Sequence, residues 1–300
     1  MPNRTSDFGD WARAHQARVE EALARFLPSP EMAPQRLHQA MRYAVLGGGK
    51  RVRPLLAFAA GELTRADATR VEVAAACVEL IHAYSLAHDD LPCMDDDVLR
   101  RGKPTCHVQY DEATALLAGD ALQALAFQLL AEHRITDRAE DQLDLLRGLA
   151  QAAGSHGMAG GQAIDLAAVG QALSLPELEF MHIHKTGALI RAAVVTGARA
   201  GDRLAPSEMA SLDHFAKCVG LAFQVVDDVL DAEGSTATLG KTAGKDAQDG
   251  KPTYVSVLGV DGARRFAEEL RSGAGTALES FGERALRLRQ LADFIVFRQF

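Results

Sequence analysis

The sequence predicts an all-α fold, and three observations carry that prediction. Prolines are absent between Pro104 and Pro176 and again between Pro206 and Pro252. The text between them is rich in alanine and leucine at spacings of three and four, the period of a helix. Alternating β-branched runs closed by hairpin turns are hard to find, and RVEVAAACVEL, the best candidate, reads as helix by its alanines and its length. Segments 71–86, 116–130 and 188–195 are apolar nearly all round, so other helices must surround them. No Pro/Ser-rich linker divides the chain, which predicts one domain over 1–300, a layered bundle of about ten helices.

Composition narrows the function classes. Hydrophobic residues make up 48% of the 300 and charged residues 24%, which excludes a disordered tail and a disulfide-stapled miniprotein. Forty acids against 32 bases give a net charge of −8, a field that attracts neither nucleic acid nor an anionic membrane. An anionic substrate must therefore be held by local chemistry. Cys77, Cys93, Cys106 and Cys218 form no C-x-x-C pair and read as reduced thiols. The N-terminus carries early acids and no apolar h-region. The nearest approach to a membrane span, 113–131, is interrupted by Gly119-Asp120 and Gln123. Together these predict a soluble, cytoplasmic protein without stable membrane insertion.

Along the chain, LPSPEMAP (27–34) is a turn between early helices. GGGKRVRP then offers Lys50, Arg51 and Arg53 after three glycines. It is not a nucleotide loop, because Lys50 is followed by Arg51 rather than Ser or Thr and the preceding text is helical. The apolar helix 71–86 ends in HDDLPCMDDDVLRRGKPT, with Asp89, Asp90, Asp95, Asp96 and Asp97. Acids there oppose the helix dipole and repel one another by about 4 kcal/mol per close pair, unless cations arrive. Pro92 bends the segment so that Asp95 can return beside Asp89. His82 lies two turns before Asp89 on nearly the same face, and fits either a satisfied core histidine or a group facing the site.

Further on, HKTG sets Lys185 and Thr186 at the start of an apolar helix, and FQVVDDVLD carries a second cluster. Asp227 and Asp231 share a helix face there, Gln224 extends the stripe and Asp228 adjoins it. Polar positions on an otherwise buried helix signal a lined cavity. Carboxylates without nearby His or Cys suit Mg²⁺ or Mn²⁺ rather than zinc. Arg100 and Arg101 follow the first cluster, and the polar segment 232–252 adds Lys241, Lys245 and Lys251 after the second. Metal-binding acids flanked by bases amount to a diphosphate site built locally on an acidic protein.

Taken together and in order, GGGKRVRP, HAYSLAHDDLPCMDDDVLRRGKPTCH, GMAGGQAIDL, HKTG, AFQVVDDVLD and GKPTY resemble the trans-isoprenyl diphosphate synthases, most nearly the short-chain bacterial farnesyl type. The resemblance runs to the C-terminal DFIVFRQF. It implies an all-α fold around a deep cavity, a homodimer, and Mg-dependent head-to-tail condensation of isopentenyl diphosphate with dimethylallyl or geranyl diphosphate. By motif it assigns metal binding to Asp89, Asp95, Asp227 and Asp231, with three ions expected, Asp90 supporting and Asp228 nearby. It assigns Lys50, Arg53, His82 and Arg101 to isopentenyl diphosphate. Arg100, Lys185, Thr186, Gln224, Lys241 and Lys251 fall to the allylic diphosphate. The first motif has the longer DDxxxxD form, which belongs to a known branch of the family. Product length would depend on Tyr84 and Ser85, where a ring five residues before Asp89 either floors the cavity or sits as an ordinary core tyrosine. A fifteen-carbon product is expected, with a twenty-carbon one as the alternative. The rivals are a terpene cyclase, a metal phosphohydrolase using His88-Asp89 and a non-catalytic partner subunit.

Overall fold

The computed structural model describes residues 4–233 and 250–298. Helices supply nearly all of the order: α1 (Arg4–Phe26), α2 (Gln35–Val45), α3 (Val52–Leu63), α4 (Ala68–Asp89), the single turn α5 (Cys106–Gln109), α6 (Glu112–Glu132), α7 (Ala139–Ala153), α8 (Met158–Ala167), α9 (Leu175–His182), α10 (Ala188–Arg199), α11 (Pro206–Glu233), α12 (Tyr254–Ala277) and α13 (Leu286–Phe297). Among the described residues eleven of these run ten residues or more, close to the expected number. The exception to helix is a ribbon of two two-residue strands, β1 (Leu99–Arg100) and β2 (Lys103–Pro104). Arg101 and Gly102, both at positive φ, make its tight turn.

The bundle is built around α4. Asp67 caps that helix by accepting from the N–H groups of Thr69 and Arg70. Alanines and β-branched residues then let α1, α3, α6 and α10 pack around it, and most residues from Val71 to Ala87 are buried as the composition predicts. The core divides into two clusters that meet along α11. Leu212, Phe215 and Val219 join the larger one, while Val225 and Val229 join a smaller one with Leu178, Met181 and Tyr254. One of the described helices departs from expectation. α6 was expected to be surrounded, yet Leu116 and Leu117 are about half exposed although Ala115, Ala118, Leu122 and Leu130 are fully buried. Despite Asp120 it is also long and apolar enough to cross a membrane, and it is the one described helix that is. In this fold it packs by one face on α4 and α2.

A charged group sits inside the first cluster. The Arg51 guanidinium is 1% exposed, pairs with Glu79, which is itself 3% exposed, and reaches Glu20 Oε1 at 2.6 Å and the Val45 carbonyl at 2.6 Å. Arg51 is therefore a structural base and not a free phosphate ligand. Removing one partner of such a pair strands a buried charge. Glu79→Ala should destabilise the protein by about 3 kcal/mol in urea unfolding, with Glu79→Gln milder. An Ala variant within 0.5 kcal/mol of the parent would show that Glu20 alone satisfies the arginine.

Candidate active site

The chain leaves α2 through Gly47, Gly48 and Gly49, at φ of 132°, 89° and 126°. Side chains rarely adopt these angles, and the Arg101 guanidinium occupies the place a β-carbon on Gly49 would need. This turn sends Lys50 and Arg53 to the wall of a cavity of about 640 Å³, while Arg51 turns inward to Glu79. The ribbon adds Arg100 and Arg101, and α4 adds His82, Tyr84, Ser85 and Asp89. Lys185 and Thr186 come from a π-helical turn, Ile183–Gly187, where a plain helix start was expected; such widened turns recur at functional sites. Phe223, Gln224 and Asp227 on α11 face the same space, and Met158, Ala159, Ala163 and Leu166 of α8 supply apolar wall.

Twelve of the residues given a metal, substrate or chain-length role by the resemblance thus line one cavity, and five described ones, Asp90, Asp95, Asp228, Asp231 and Lys251, do not. Asp90 is 3% exposed and is clasped by Arg100 through Nε (2.8 Å to Oδ1) and Nη2 (2.6 Å), which holds that arginine at the cavity edge. Asp95 returns beside Asp89 as Pro92 predicts, donating its backbone N–H to the Asp89 carbonyl at 2.8 Å, and its carboxylate receives Lys251 Nζ at 2.8 Å. Asp228 is buried; it accepts from Gln224 Nε2 at 2.9 Å and from the Tyr254 N–H at 2.7 Å, so it pins the start of α12. Gln224 in turn accepts from the Thr186 hydroxyl at 3.1 Å. Asp231 is buried one turn beyond Asp227. Lys241 and Lys245, with most of the segment 232–252, lie outside the described residues.

The electrostatics divide the site. Burial, against the pull of Lys185 and with the push of Asp95, drives the Asp89 carboxyl up to about 6. Around His82 the balance is reversed. Burial and then the charges of Arg53, Arg101, Arg100 and Arg51 hold its imidazole well below its ordinary range, so it is neutral. Arg53 Nε is buried and finds no hydrogen-bond acceptor among the described residues. Burial also lowers Lys50, helped by the nearby Arg298 charge. Cations crowded without enough acid call for an anionic ligand. His88 lines the same cavity, and its Nε2 is engaged by the Leu116 carbonyl at 2.9 Å, which takes up one of the two ring nitrogens that the phosphohydrolase rival would need for a metal.

Sequence reasoning missed several groups. Arg298 stacks on Phe223, reaches Asp227 Oδ1 at 2.5 Å and donates to the Phe223 carbonyl. Glu79 lines the cavity beside Arg51. Asp165 pairs with Lys185 at 2.6 Å. The only signal for Glu79 was an acid in an otherwise apolar helix, one turn before His82. For Arg298 it was a lone base closing FIVFR.

The donor set fits magnesium. Among the described residues no three His, Cys, Asp or Glu groups converge on one point. Such a site suits an ion that takes one or two carboxylates and fills its octahedron with water and substrate phosphate.

Comparison with known proteins gives this geometry a lineage. The polyprenyl synthetase family profile matches residues 34–280. A probable farnesyl diphosphate synthase of Sinorhizobium fredii is 50% identical over 284 residues, covering 94% of this chain and 85% of its own length. The farnesyl diphosphate synthase of Escherichia coli is 46% identical over 298 residues, covering 97% and 99%. Among solved structures, an FPP/GFPP synthase from Zymomonas mobilis superposes with a TM-score of 0.87 at 41% identity, covering 97% of this chain and 99% of that one. A Helicobacter pylori geranyltransferase complexed with magnesium and isoprenyl diphosphate superposes at 0.83 with 32% identity, covering 95% of each chain. With the cation-rimmed, carboxylate-bearing cavity already in place, these likenesses settle its kind: the chain belongs to the polyprenyl synthetase family and is a prenyltransferase.

Proposed function

We propose that this protein condenses isopentenyl diphosphate with dimethylallyl and then geranyl diphosphate, releasing diphosphate and yielding the fifteen-carbon farnesyl diphosphate. One observation carries the reading: a single cavity is lined by the cations Lys50, Arg53, Arg101, Arg100 and Lys185, by apolar side chains of α8 and α11, and by Tyr84. A terpene cyclase needs only one diphosphate subsite, and a non-catalytic subunit needs none.

In this reading Asp89, Asp95, Asp227 and Asp231 hold three magnesium ions. Bound there, the ions neutralise charge that builds on diphosphate as the allylic carbon–oxygen bond breaks. Arg100, Lys185, Thr186, Gln224, Lys241 and Lys251 bind the allylic diphosphate. Arg53 and Arg101 clamp isopentenyl diphosphate with Lys50, and neutral His82 donates one hydrogen bond without adding charge. Apolar side chains of α8 and α11 keep water from the allylic cation, so the isopentenyl double bond attacks it. The proton then lost goes to the departing diphosphate.

The remaining proposals concern the setting. The whole chain acts as one domain, and the exposed Leu116 and Leu117, with Val108 exposed just before α6, support a homodimer that covers α6. A cytoplasmic location accords with four cysteines that form no disulfide.

Incubation with isotope-labelled isopentenyl diphosphate and dimethylallyl diphosphate, resolved by chain length, tests the reaction. A dominant C15 product that requires both substrates is expected. Phosphate release without carbon–carbon bond formation would refute condensation, and a dominant C20 product would refute the assigned length. Lys50→Ala should raise the KM for isopentenyl diphosphate by about tenfold, consistent with losing one charge-assisted contact, and that for the allylic substrate by less than threefold. Equal effects on both would undo the division into two subsites.

A further inference from the structure

Asp165 belongs to neither aspartate cluster and does not line the cavity, yet it is only 4% exposed. Its Oδ2 lies 2.6 Å from Lys185 Nζ, and Lys185 does line the cavity, with 25% of its side chain exposed. A buried carboxylate needs a cationic partner. His182 is the other basic group beside it, but burial and the Lys185 charge hold that imidazole down to about 3, so it is neutral. Lys185 is therefore the countercharge. The backbone on both sides is fixed as well. Gly161, one turn before Asp165 on α8, lies so close to the Lys185 backbone that a β-carbon there would overlap its nitrogen and Cα. Lys185 itself sits within the π-helical turn.

We infer that Asp165 is a positioning residue, holding the Lys185 ammonium in one place beside Asp89 at the allylic diphosphate subsite. The inference rests on the reading that Lys185 meets the allylic diphosphate. A lysine head group on a four-carbon stem otherwise samples many rotamers, and ordering it during the reaction would raise the barrier. Asp165 orders it beforehand, from behind the cavity wall and without touching substrate.

The test is a double-mutant cycle in kcat and in KM for each substrate, using the parent, Asp165→Asn, Lys185→Gln and the double variant at saturating magnesium. Asp165→Asn should lower kcat with the allylic substrate roughly 10- to 100-fold, the range seen when an orienting partner is lost. The KM for isopentenyl diphosphate should stay within about twofold. In the Lys185→Gln background the same change should have almost no further effect, because Asp165 acts only through that lysine. Multiplicative losses in the double variant, or full kcat in Asp165→Asn, would overturn the inference. If the asparagine variant fails to fold, Asp165→Glu, which displaces the carboxylate by one methylene, is carried through the same cycle. A parent protein that forms no carbon–carbon bond would instead sink the prenyl-transfer reading, an outcome separate from the cycle.

Discussion

Replacing Asp89 by asparagine is expected to abolish turnover and, in the same protein, to raise its stability at pH 8. The two effects share one cause. In the ion-free protein burial lifts the Asp89 carboxyl from 3.8 to about 6, so the folded state binds a proton there more tightly than the unfolded chain does. Stability is therefore highest below pH 4 on account of this group, falls as pH rises through about 6, and stays reduced above that. Asparagine never ionises. Asp89→Asn should gain on the order of 2–3 kcal/mol at pH 8, seen as a melting temperature several degrees higher without divalent ions, and the gain should vanish below pH 4. The same change deletes a proposed ion ligand and should lower kcat by roughly 10³-fold, the scale of losing a main electrostatic stabiliser. A variant that is active at limiting magnesium, or one less stable than the parent at pH 8, would break the link between buried repulsion and function.

Tyr84→Ala should lengthen the product, moving the main peak from C15 to C20 or beyond while condensation continues. Tyr84 is 8% exposed, lines the cavity and precedes Asp89 by five residues, roughly 7–8 Å along α4. Its ring is not loose. It stands edge-on to His88 at 5.7 Å between centroids, and His88 is held by the Leu116 carbonyl. Removing the ring enlarges the cavity that Tyr84 and Ser85 both line, and the serine side chain is too small to fill the space left. Chromatography of the products decides the matter, and an unchanged length distribution would make Tyr84 an ordinary core residue.

How much of this was legible in the sequence depended on how local each cause was. The return of Asp95 to Asp89 could be read because Pro92 lies between them, and the burial of most of α4 because its periodicity is its own. The pairs Arg298–Asp227, Lys185–Asp165 and Arg51–Glu79 could not, since each joins residues 20 or more apart and nothing in either segment names the other. Arg51 stood out only as one base of GGGKRVRP, with no partner in view. Only its left-handed backbone, at φ 50°, and the buried Glu79 turn it inward. The exposed face of α6 was misread for a related reason. An apolar helix announces that something must cover it, and says nothing of whether the cover comes from the same chain.

Asp89, Asp95 and Asp227 are proposed to take up ions and substrate diphosphate in exchange for the cations, Lys251 and Arg298, that pair Asp95 and Asp227 in the free protein. Anomalous diffraction from crystals grown with Mn²⁺ and a non-reactive allylic diphosphate tests this exchange most directly. Manganese peaks contacting both Asp89 and Asp227 are expected, with Lys251 released from Asp95 and Arg298 from Asp227. Diphosphate bound with Lys251 and Arg298 still paired to those carboxylates, and no peak at Asp89 or Asp227, would contradict it.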